Sequence, residues 1–126
     1  MIKASTALRW LPAAFVVGVS WHLSSMPTVE MMPHFWNADK VVHTICYGGL
    51  AFCVALGYGG GGQRGLRALI VPIALTAAYG MIDEIHQSFT PGRSCSMLDW
   101  LADVFGATLG SLAYLLAMRL VGKRGN

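Results

Sequence analysis

The sequence predicts an all-α integral membrane bundle of four transmembrane helices with both termini in the cytoplasm. The 126-residue chain is 55% hydrophobic and only 12% charged, which is too apolar for an ordinary soluble domain of this size. Four apolar stretches, roughly residues 7–24, 41–59, 66–86 and 97–119, each come close to the about 20 residues that a spanning helix needs. Little chain is left for anything else, so residues 1–126 are predicted to form a single transmembrane domain.

The charged residues divide between the two ends of these predicted spans. Acidic residues lie around the first and third connections, and they are Glu30, Asp39, Asp83, Glu84, Asp99 and Asp103. Most basic residues lie at the chain ends and the middle connection, and they are Lys3, Arg9, Arg64, Arg67, Arg119, Lys123 and Arg124. Because basic residues concentrate on the cytoplasmic side of membrane proteins, this division places both termini there and the acidic end outside.

The net charge of +3 could suggest a nucleic-acid partner, but the basic residues are scattered over three segments. We interpret them as topology signals and expect no nucleic acid. The three cysteines form no CxxC or metal-finger spacing. Cys46 and Cys53 fall inside the second span, whereas Cys95 falls in the outer connection.

The first span could be mistaken for a cleaved signal peptide, because Lys3 and Arg9 precede its apolar run. Trp21 and His22 occupy the region where small residues would mark a cleavage site. We therefore expect this segment to be a retained membrane anchor.

The second span is expected to begin near Asp39 and to end before a glycine-rich turn. Trp36 is predicted to anchor the preceding connection at the headgroup level. Asn37 is predicted to cap the helix with its side chain. The run Gly59–Gly62 lacks the lysine and the order of a phosphate-binding loop, so it predicts a flexible cytoplasmic turn.

The third and fourth spans are joined by a short outer connection. Pro72 is predicted to bend the third span, because proline removes one helical hydrogen bond. Residues 90–93 have the Pro-Gly centre of a tight turn. Ser96 and Asp99 have the spacing of a capping box, which predicts that the fourth helix begins there.

Helical spacing places the polar residues of the later spans on shared faces. These residues are Asp39, His43 and Tyr47 in the second span, Tyr79, Asp83, His86 and Gln87 in the third, and Asp99 and Asp103 in the fourth. An ionisable residue at membrane depth costs about 2.5 to 3.5 kcal/mol on insertion scales, so these faces should turn away from lipid. We expect them to enclose an outward-facing polar pocket, with Lys40 or Arg93 as counter-charges.

Several of these residues have structural alternatives. Asp39 and Asp99 could each simply stabilise a helix N-terminus, and His86 could cap a helix C-terminus. Tyr47 and Tyr79 could be amphipathic packing residues. His22 and His34, each isolated, are typical of interfacial histidines. Glu84 lies off the pocket face and is equally consistent with the headgroup region and with the pocket.

A small-residue seam, Gly106-x-x-x-Gly110, continues the stripe of Asp99 and Asp103 along the fourth span. Such seams let membrane helices approach closely. The seam could serve packing within one chain or between two copies, so a homo-oligomer stays open. In either case the two carboxylates should face protein.

The ordered motifs resemble the VanZ-like family over nearly the whole chain. They are Ala38-Asp39-Lys40-Val41-Val42-His43 with Tyr47, Tyr79-Gly80-Met81-Ile82-Asp83-Glu84-Ile85-His86-Gln87-Ser88-Phe89, Pro91-Gly92-Arg93, and Ser96-Met97-Leu98-Asp99-Trp100 with Asp103, Gly106 and Gly110. The resemblance implies a small multi-pass protein of the bacterial cytoplasmic membrane, and the family's namesake is associated with resistance to the glycopeptide antibiotic teicoplanin. It does not supply a reaction. Asp103 departs from the family, which usually carries Asn there, and it adds a negative charge or a carboxyl pair with Asp99.

The predicted function is binding or modification of an amphipathic, lipid-linked cell-wall precursor that approaches from the surrounding membrane lipids. Arg93 and Lys40 would suit its phosphate, because guanidinium and ammonium groups bind oxyanions. The expected substrate-binding set is Arg93, Lys40, Asp39, Tyr47, Glu84, Gln87, Tyr79 and Asp103.

Whether the protein is an enzyme stays open at this point. A hydrolase or transferase would use His86 as general acid or base, oriented by Asp83 or Asp99, with His43 as second proton carrier. The alternative is a noncatalytic module that binds an envelope ligand or a partner protein. Ion or proton passage would need polar residues through the membrane, where Thr76 and Thr108 offer little.

A divalent metal is a further option for the predicted pocket. The side chains suited to zinc or manganese are Asp39, His43, Asp83, His86, Asp99 and Asp103. Spacing within single helices does not reveal the distances between helices.

Overall fold

The computed structural model describes residues 4–27, 35–60 and 64–125, and all of the regular structure in these ranges is helical. The helices are α1 Ala4–Leu8, α2 Leu11–Ser24, α3 Ala38–Gly59, α4 Leu66–Gln87 and α5 Met97–Arg124. The predicted all-α class is therefore confirmed. Lys3, Glu30, His34 and part of the glycine run, Gly61 and Gly62, lie outside the described residues.

Three helices, α3, α4 and α5, are long and apolar enough to cross a membrane. They reproduce the second, third and fourth predicted spans, with α3 starting earlier and α5 ending later than expected. The first predicted span differs, because it is divided between α1 and a 14-residue α2. Pro12 accounts for the division: it lacks an N–H and fits only the first turn of α2. At 1.5 Å per residue, α2 extends about 21 Å, short of the roughly 30 Å hydrocarbon core.

The start of α3 is set by Asn37, but not through its side chain. Asn37 occupies the N-cap position with left-handed backbone angles, φ 57° and ψ 26°, and its side chain makes no capping hydrogen bond. Its carbonyl accepts from the amides of Lys40 and Val41 at 3.1 and 3.2 Å. The predicted side-chain cap is wrong, because asparagine serves here as a residue that tolerates the left-handed region.

The connection between α4 and α5 has the predicted turn. Arg93 donates its backbone N–H to the Thr90 carbonyl at 3.1 Å, and Gly92 has a φ of 79°. A positive φ at the third turn position favours glycine, as in type II turns. The turn brings Arg93 back toward the end of α4.

The small-residue seam joins α3 to α5 within one chain. A Cβ added to Gly106 would overlap the backbone of Thr44, and one added to Gly110 would overlap the backbone of Gly48. The approach is therefore closer than any larger side chain permits. Of the two roles left open for this seam, packing within the chain is the one observed.

The bundle has an apolar exterior and a partly polar interior. Apolar side chains such as Ile82, Phe105 and Leu116 are more than half exposed, whereas Asp103 and Glu84 are 0% and 1% exposed. Burial of carboxylates beneath exposed leucines is typical of helices surrounded by lipid rather than water. An apolar cluster that includes Leu50 and Val54 lies deeper along α3.

Candidate functional site

The candidate site lies at the end of the bundle where α3 and α5 begin and α4 ends. Side chains from these three helix ends contact one another: Lys40 of α3 reaches Asp99 of α5, and Glu84 of α4 reaches Ser96 at the start of α5. Contacts of Tyr47 with Asp83 and of His43 with Asp103 also join residues of the predicted polar faces. The opposite end carries Arg64 and Arg119 beside an apolar groove of about 820 Å³.

His43 occupies the centre of the site, against two buried carboxylates. Its Nδ1 lies 2.7 Å from Oδ1 of Asp103 and 3.8 Å from Oε1 of Glu84. Asp103 is fully buried, so its carboxylate can reach little except this ring. A carboxylate on one imidazole nitrogen selects the tautomer with its proton on that nitrogen and leaves the other nitrogen as the acceptor.

Glu84 enters the site, which settles the choice that its position along the helix left open. It is buried, and its Oε2 accepts a hydrogen bond from the backbone N–H of Ser96 at 3.1 Å. Ser96 in turn accepts from the N–H of Asp99 at 3.4 Å, as the capping-box spacing predicts. In a complete capping box the Asp99 carboxylate would accept from the backbone N–H of Ser96. Glu84 of α4 accepts from that N–H instead, so the Asp99 carboxylate can contact other groups.

Lys40 contacts the carboxylates of both Asp39 and Asp99. Its Nζ lies 3.0 Å from Oδ2 of Asp39 and 3.3 Å from Oδ1 of Asp99. The Asp39 side chain is 48% exposed, whereas the Asp99 side chain is only 11% exposed. Exposed ion pairs contribute little because water screens them, so the contact with Asp99 is the more consequential of the two.

Asp83 faces the side of α4 that contacts α2 and α3. Its Oδ2 accepts hydrogen bonds from Tyr47 and Ser24, each at 2.8 Å. The Tyr47 ring stacks parallel to the His43 ring on one side, with ring centroids 5.9 Å apart. On its other side it stacks on the Tyr79 ring, with centroids 6.0 Å apart. Tyr47 therefore holds Asp83 and packs against His43 at the same time.

His86 lies apart from this cluster. Its ring stacks on Trp21 with centroids 3.7 Å apart, and its Nε2 lies 2.9 Å from the hydroxyl of Ser25. Among the described residues its hydrogen-bond partner is Ser25, not Asp83 or Asp99 as the predicted orientation required. The stacking on α2 turns the ring away from both carboxylates. The structure brings His43, rather than His86, together with the acidic residues.

Arg93 approaches the site from the connection that follows α4. Its Nη1 donates to the Met26 carbonyl at 3.1 Å. With the Gln87 amide oriented so that its oxygen faces the guanidinium, that oxygen accepts from Nε and Nη2 of Arg93 at 3.0 and 3.2 Å. Arg93, Gln87, Asp83 and His43 all line a cavity of about 70 Å³ between α2, α3 and α4. That volume corresponds to roughly two water molecules.

Several buried oxygens at the site have no hydrogen-bond partner within the described residues. They are Oδ1 of Asp83, Oε1 of Glu84 and Oδ2 of Asp103. A buried polar atom without a partner costs about 1 to 3 kcal/mol, and more when it carries charge. A site with this many free acceptors is built to receive protons, a cation or ligand hydrogen atoms.

His43, Glu84 and Asp99 are the described residues that could together hold a metal ion. Each offers one ligand atom, and the three atoms lie within 4.8 Å of one another. Of the six residues that the sequence suggested for a metal, only His43 and Asp99 belong to this group. Glu84 was absent from that set because its place along α4 did not reveal which neighbour it faces.

Sequence reasoning missed the contribution of α2. Ser20 lies 2.6 Å from the hydroxyl of Tyr79, and Ser24 donates to Asp83. The available signal was the spacing of four between Ser20 and Ser24 in an otherwise apolar segment, which puts both on one helix face. These hydrogen bonds attach α2 to the polar side of α4.

The comparisons with known proteins agree with the motif order. A family model described as VanZ/LLP1 matches residues 3–118. No curated protein and no solved structure matches the chain. The match therefore identifies a family without supplying a reaction or a ligand.

Proposed function

Because this chain belongs to the VanZ/LLP1 family and gathers its polar side chains at one end of an apolar helix bundle, we propose that it recognises the phosphate-bearing head of an amphipathic, lipid-linked cell-wall precursor. The observation that carries the proposal is that the Arg93 guanidinium lines a small cavity together with His43, Asp83 and Gln87. Reduced susceptibility of the cell to a glycopeptide antibiotic such as teicoplanin is the phenotype expected from such recognition.

The proposed location is the bacterial cytoplasmic membrane, with the site on the outer side. Four passes, with α2 as part of the first, leave both chain ends in the cytoplasm. Arg64 and Arg119 lie at the end of the bundle that the positive-inside rule assigns to the cytoplasm. Asp39, Asp99 and Glu84 lie at the other end, as the proposed orientation requires.

Arg93 is suited to a phosphate because, among the described residues, the groups that hold its guanidinium are neutral. Gln87 and the Met26 carbonyl fix its orientation. Among the described residues no carboxylate lies within the 4.0 Å of an ion pair. A planar guanidinium binds two oxygens of a phosphate at once, which gives geometric selectivity as well as charge.

The size of the cavity limits what can enter it. A volume of about 70 Å³ admits only a small polar group, so most of the headgroup would stay at the membrane surface. Leu23, Val42 and Cys46 line the same cavity between α2 and α3, and this apolar side suits an acyl or prenyl chain that stays in lipid.

His43 is the side chain whose surroundings best support acid–base chemistry. The buried Asp103 carboxylate on its Nδ1 holds the imidazole in one orientation, as in the paired His and Asp of many hydrolases. His43 also lines the cavity that Arg93 reaches. The proposed chemistry is hydrolysis or transfer at the phosphate, with His43 moving the proton and Arg93 stabilising the negative charge.

The experiment measures binding of a short-chain polyprenyl phosphate to the purified protein in lipid nanodiscs. We expect Arg93→Gln to weaken binding about tenfold or more, because a charge-assisted hydrogen bond contributes roughly 1.5 to 3 kcal/mol. Arg67→Gln is the matched control, since Arg67 is an exposed arginine in the first turn of α4, at the opposite end of the bundle.

Equal binding by wild type and Arg93→Gln would overturn the proposed recognition. Mass spectrometry of the recovered lipid tests the chemical step in the same samples. A modified lipid that is absent with His43→Gln supports acid–base catalysis by His43. A lipid that is bound and returned unchanged supports the alternative, a noncatalytic envelope-binding module.

A further inference from the structure

The described carboxylates at the site outnumber the cations that contact them. Asp83, Glu84, Asp99 and Asp103 are each at most 8% exposed. Among the described residues, the basic side chains in contact with them are Lys40, on Asp99, and His43, on Glu84 and Asp103. A buried negative charge is stable only if a cation or a proton compensates it.

We propose that His43, Glu84 and Asp99 bind a divalent metal ion between α3, α4 and α5. The three ligand atoms lie within 4.8 Å of one another, and each comes from a different helix. An ion among them would therefore join the three spanning helices at their outer ends. This proposal goes beyond lipid recognition at Arg93, which does not depend on it. It is an alternative to acid–base chemistry by His43, because an imidazole that binds a metal cannot also move a proton.

A free oxygen points into the proposed site. Oε1 of Glu84 has no hydrogen-bond partner among the described residues, although the residue is only 1% exposed. This oxygen lies 3.8 Å from His43 Nδ1, while Oε2 of the same carboxylate is held by the Ser96 amide. The amide contact thus orients Glu84 and leaves one oxygen available as a ligand.

Asp103 supports His43 in the way that outer residues support metal-binding histidines. Its Oδ1 lies 2.7 Å from Nδ1, a contact that fixes the orientation of the ring and increases its basicity as a ligand. The arrangement of carboxylate, histidine and metal recurs in zinc proteins. Asp103→Ala, which removes the acceptor for His43, should weaken metal binding without removal of a ligand.

Lys40 shares Asp99 with the proposed ion. Its Nζ lies 3.3 Å from Oδ1 of Asp99, and it also contacts Asp39, which is half exposed. Lys40 can stay on Asp39 while the second oxygen of Asp99 binds the metal. The site therefore keeps a ligand set of one imidazole and two carboxylates.

The ligand set selects among metals. Imidazole nitrogen favours zinc and other transition metals, whereas carboxylate oxygen also suits manganese. One histidine with two carboxylates is consistent with Zn²⁺ or Mn²⁺. Three protein ligands leave at least one position for water or an anionic ligand, as in catalytic zinc sites.

The test is elemental analysis of protein purified without chelator and without a histidine tag. We expect close to one zinc or manganese ion per wild-type chain. Glu84→Gln should lower that occupancy at least tenfold, since glutamine keeps the size and the Ser96 contact but loses the anionic ligand. Asp83→Asn is the matched control, because it removes a neighbouring buried charge from the same helix end without removal of a proposed ligand.

A second measurement does not depend on the folding of a variant. Wild-type protein stripped with EDTA is titrated with Zn²⁺ or Mn²⁺, and its thermal unfolding midpoint should rise by about 5 °C at saturation. No metal in the purified protein together with no rise on titration would overturn the proposal, as would full occupancy in Glu84→Gln. Arg93→Gln should retain the metal, so the metal proposal and the lipid proposal can fail independently.

Discussion

Asp103 is the residue at which the resemblance to the VanZ-like family implies a departure, with Asp in place of Asn. The side chain is fully buried, with one oxygen on His43 and the other beside Gly80, where it has no partner among the described residues. Asparagine could still accept from His43 through its amide oxygen. The contact that Asp103 makes with His43 therefore needs a hydrogen-bond acceptor and not a charge.

This role predicts different effects for two substitutions of Asp103. Asp103→Asn should leave the thermal unfolding midpoint in detergent unchanged or slightly raised, because the acceptor stays and a buried charge is removed. Asp103→Ala should destabilise the protein by about 1 to 3 kcal/mol, since the His43 N–H loses its partner. Asp39→Asn, at a half-exposed carboxylate, is the control and should have little effect. An alanine variant as stable as the asparagine variant would contradict this account.

The helices differ in what attaches them to the bundle. The contact of α3 with α5 depends on close backbone approach at Gly48, Gly106 and Gly110. The attachment of α2 to α4 depends on polar contacts, such as those of Ser20 with Tyr79 and Ser24 with Asp83. Hydrogen bonds between membrane helices average only about 0.6 kcal/mol each, so these contacts alone hold α2 weakly to α4. Ala13, Val16 and Val17 of α2 also pack in the apolar cluster of Leu50 and Val54 of α3.

The close approach of α3 and α5 predicts a strong effect of added methyl groups. Gly106→Ala and Gly110→Ala should each destabilise the protein by about 1 to 3 kcal/mol, because the new Cβ meets the backbone of α3 rather than a flexible side chain. Unfolding in a detergent series is the measurement. Gly122→Ala in the same helix is the control: nothing lies within 4 Å of its Cβ, so it should be neutral or slightly stabilising. Tolerance of alanine at both seam positions would show that the helices do not pack this closely.

The whole molecule has one acidic end and one basic end, separated by apolar helices. Cys95 is exposed in the connection between α4 and α5, at the acidic end. The other two cysteines, Cys46 and Cys53, lie along α3 within a candidate span. The proposed orientation therefore puts the Cys95 thiol outside the candidate spans, on the outer side of the membrane.

A membrane-impermeant thiol reagent tests this orientation on intact cells. Because Cys46 lines the cavity at the same end, the test uses Cys46→Ser: the reagent should label this variant and fail to label Cys46→Ser/Cys95→Ser. Adding Arg64→Cys to that double variant puts a thiol at the opposite end, and the triple variant should react only after the cells are permeabilised. The reverse pattern would place the site in the cytoplasm and would remove the basis for an outer-leaflet substrate.

The spacing of polar residues along the chain predicts which of them share a helix face, because that depends only on the helical period. Asp39, His43 and Tyr47 were placed on one face by their spacing, and the turn before α5 was placed by Pro91 and Gly92. The sequence left the surroundings of Glu84 open because Glu84 lies off the polar face of α4. The helix packs against α5 as well as α3, so it has a second buried face that the spacing of polar residues does not reveal. The predicted contact of His86 with Asp83 or Asp99 differs from the contact observed with Trp21 of α2. The sequence does not show how α2 is rotated about its axis, so it could not predict that contact.

The sequence by itself determined the helical class, the approximate limits of the three long apolar helices, the family and the segregation of charge, since each depends on composition, period or residue order along the chain. Only the tertiary structure decided which side chains meet: His43 with Asp103, Glu84 with the start of α5, and His86 with α2. The physical reason is that these pairings depend on how each helix is rotated and how closely it approaches its neighbours. Rotation and approach follow from packing of all the helices together, as the close contact of α3 and α5 illustrates.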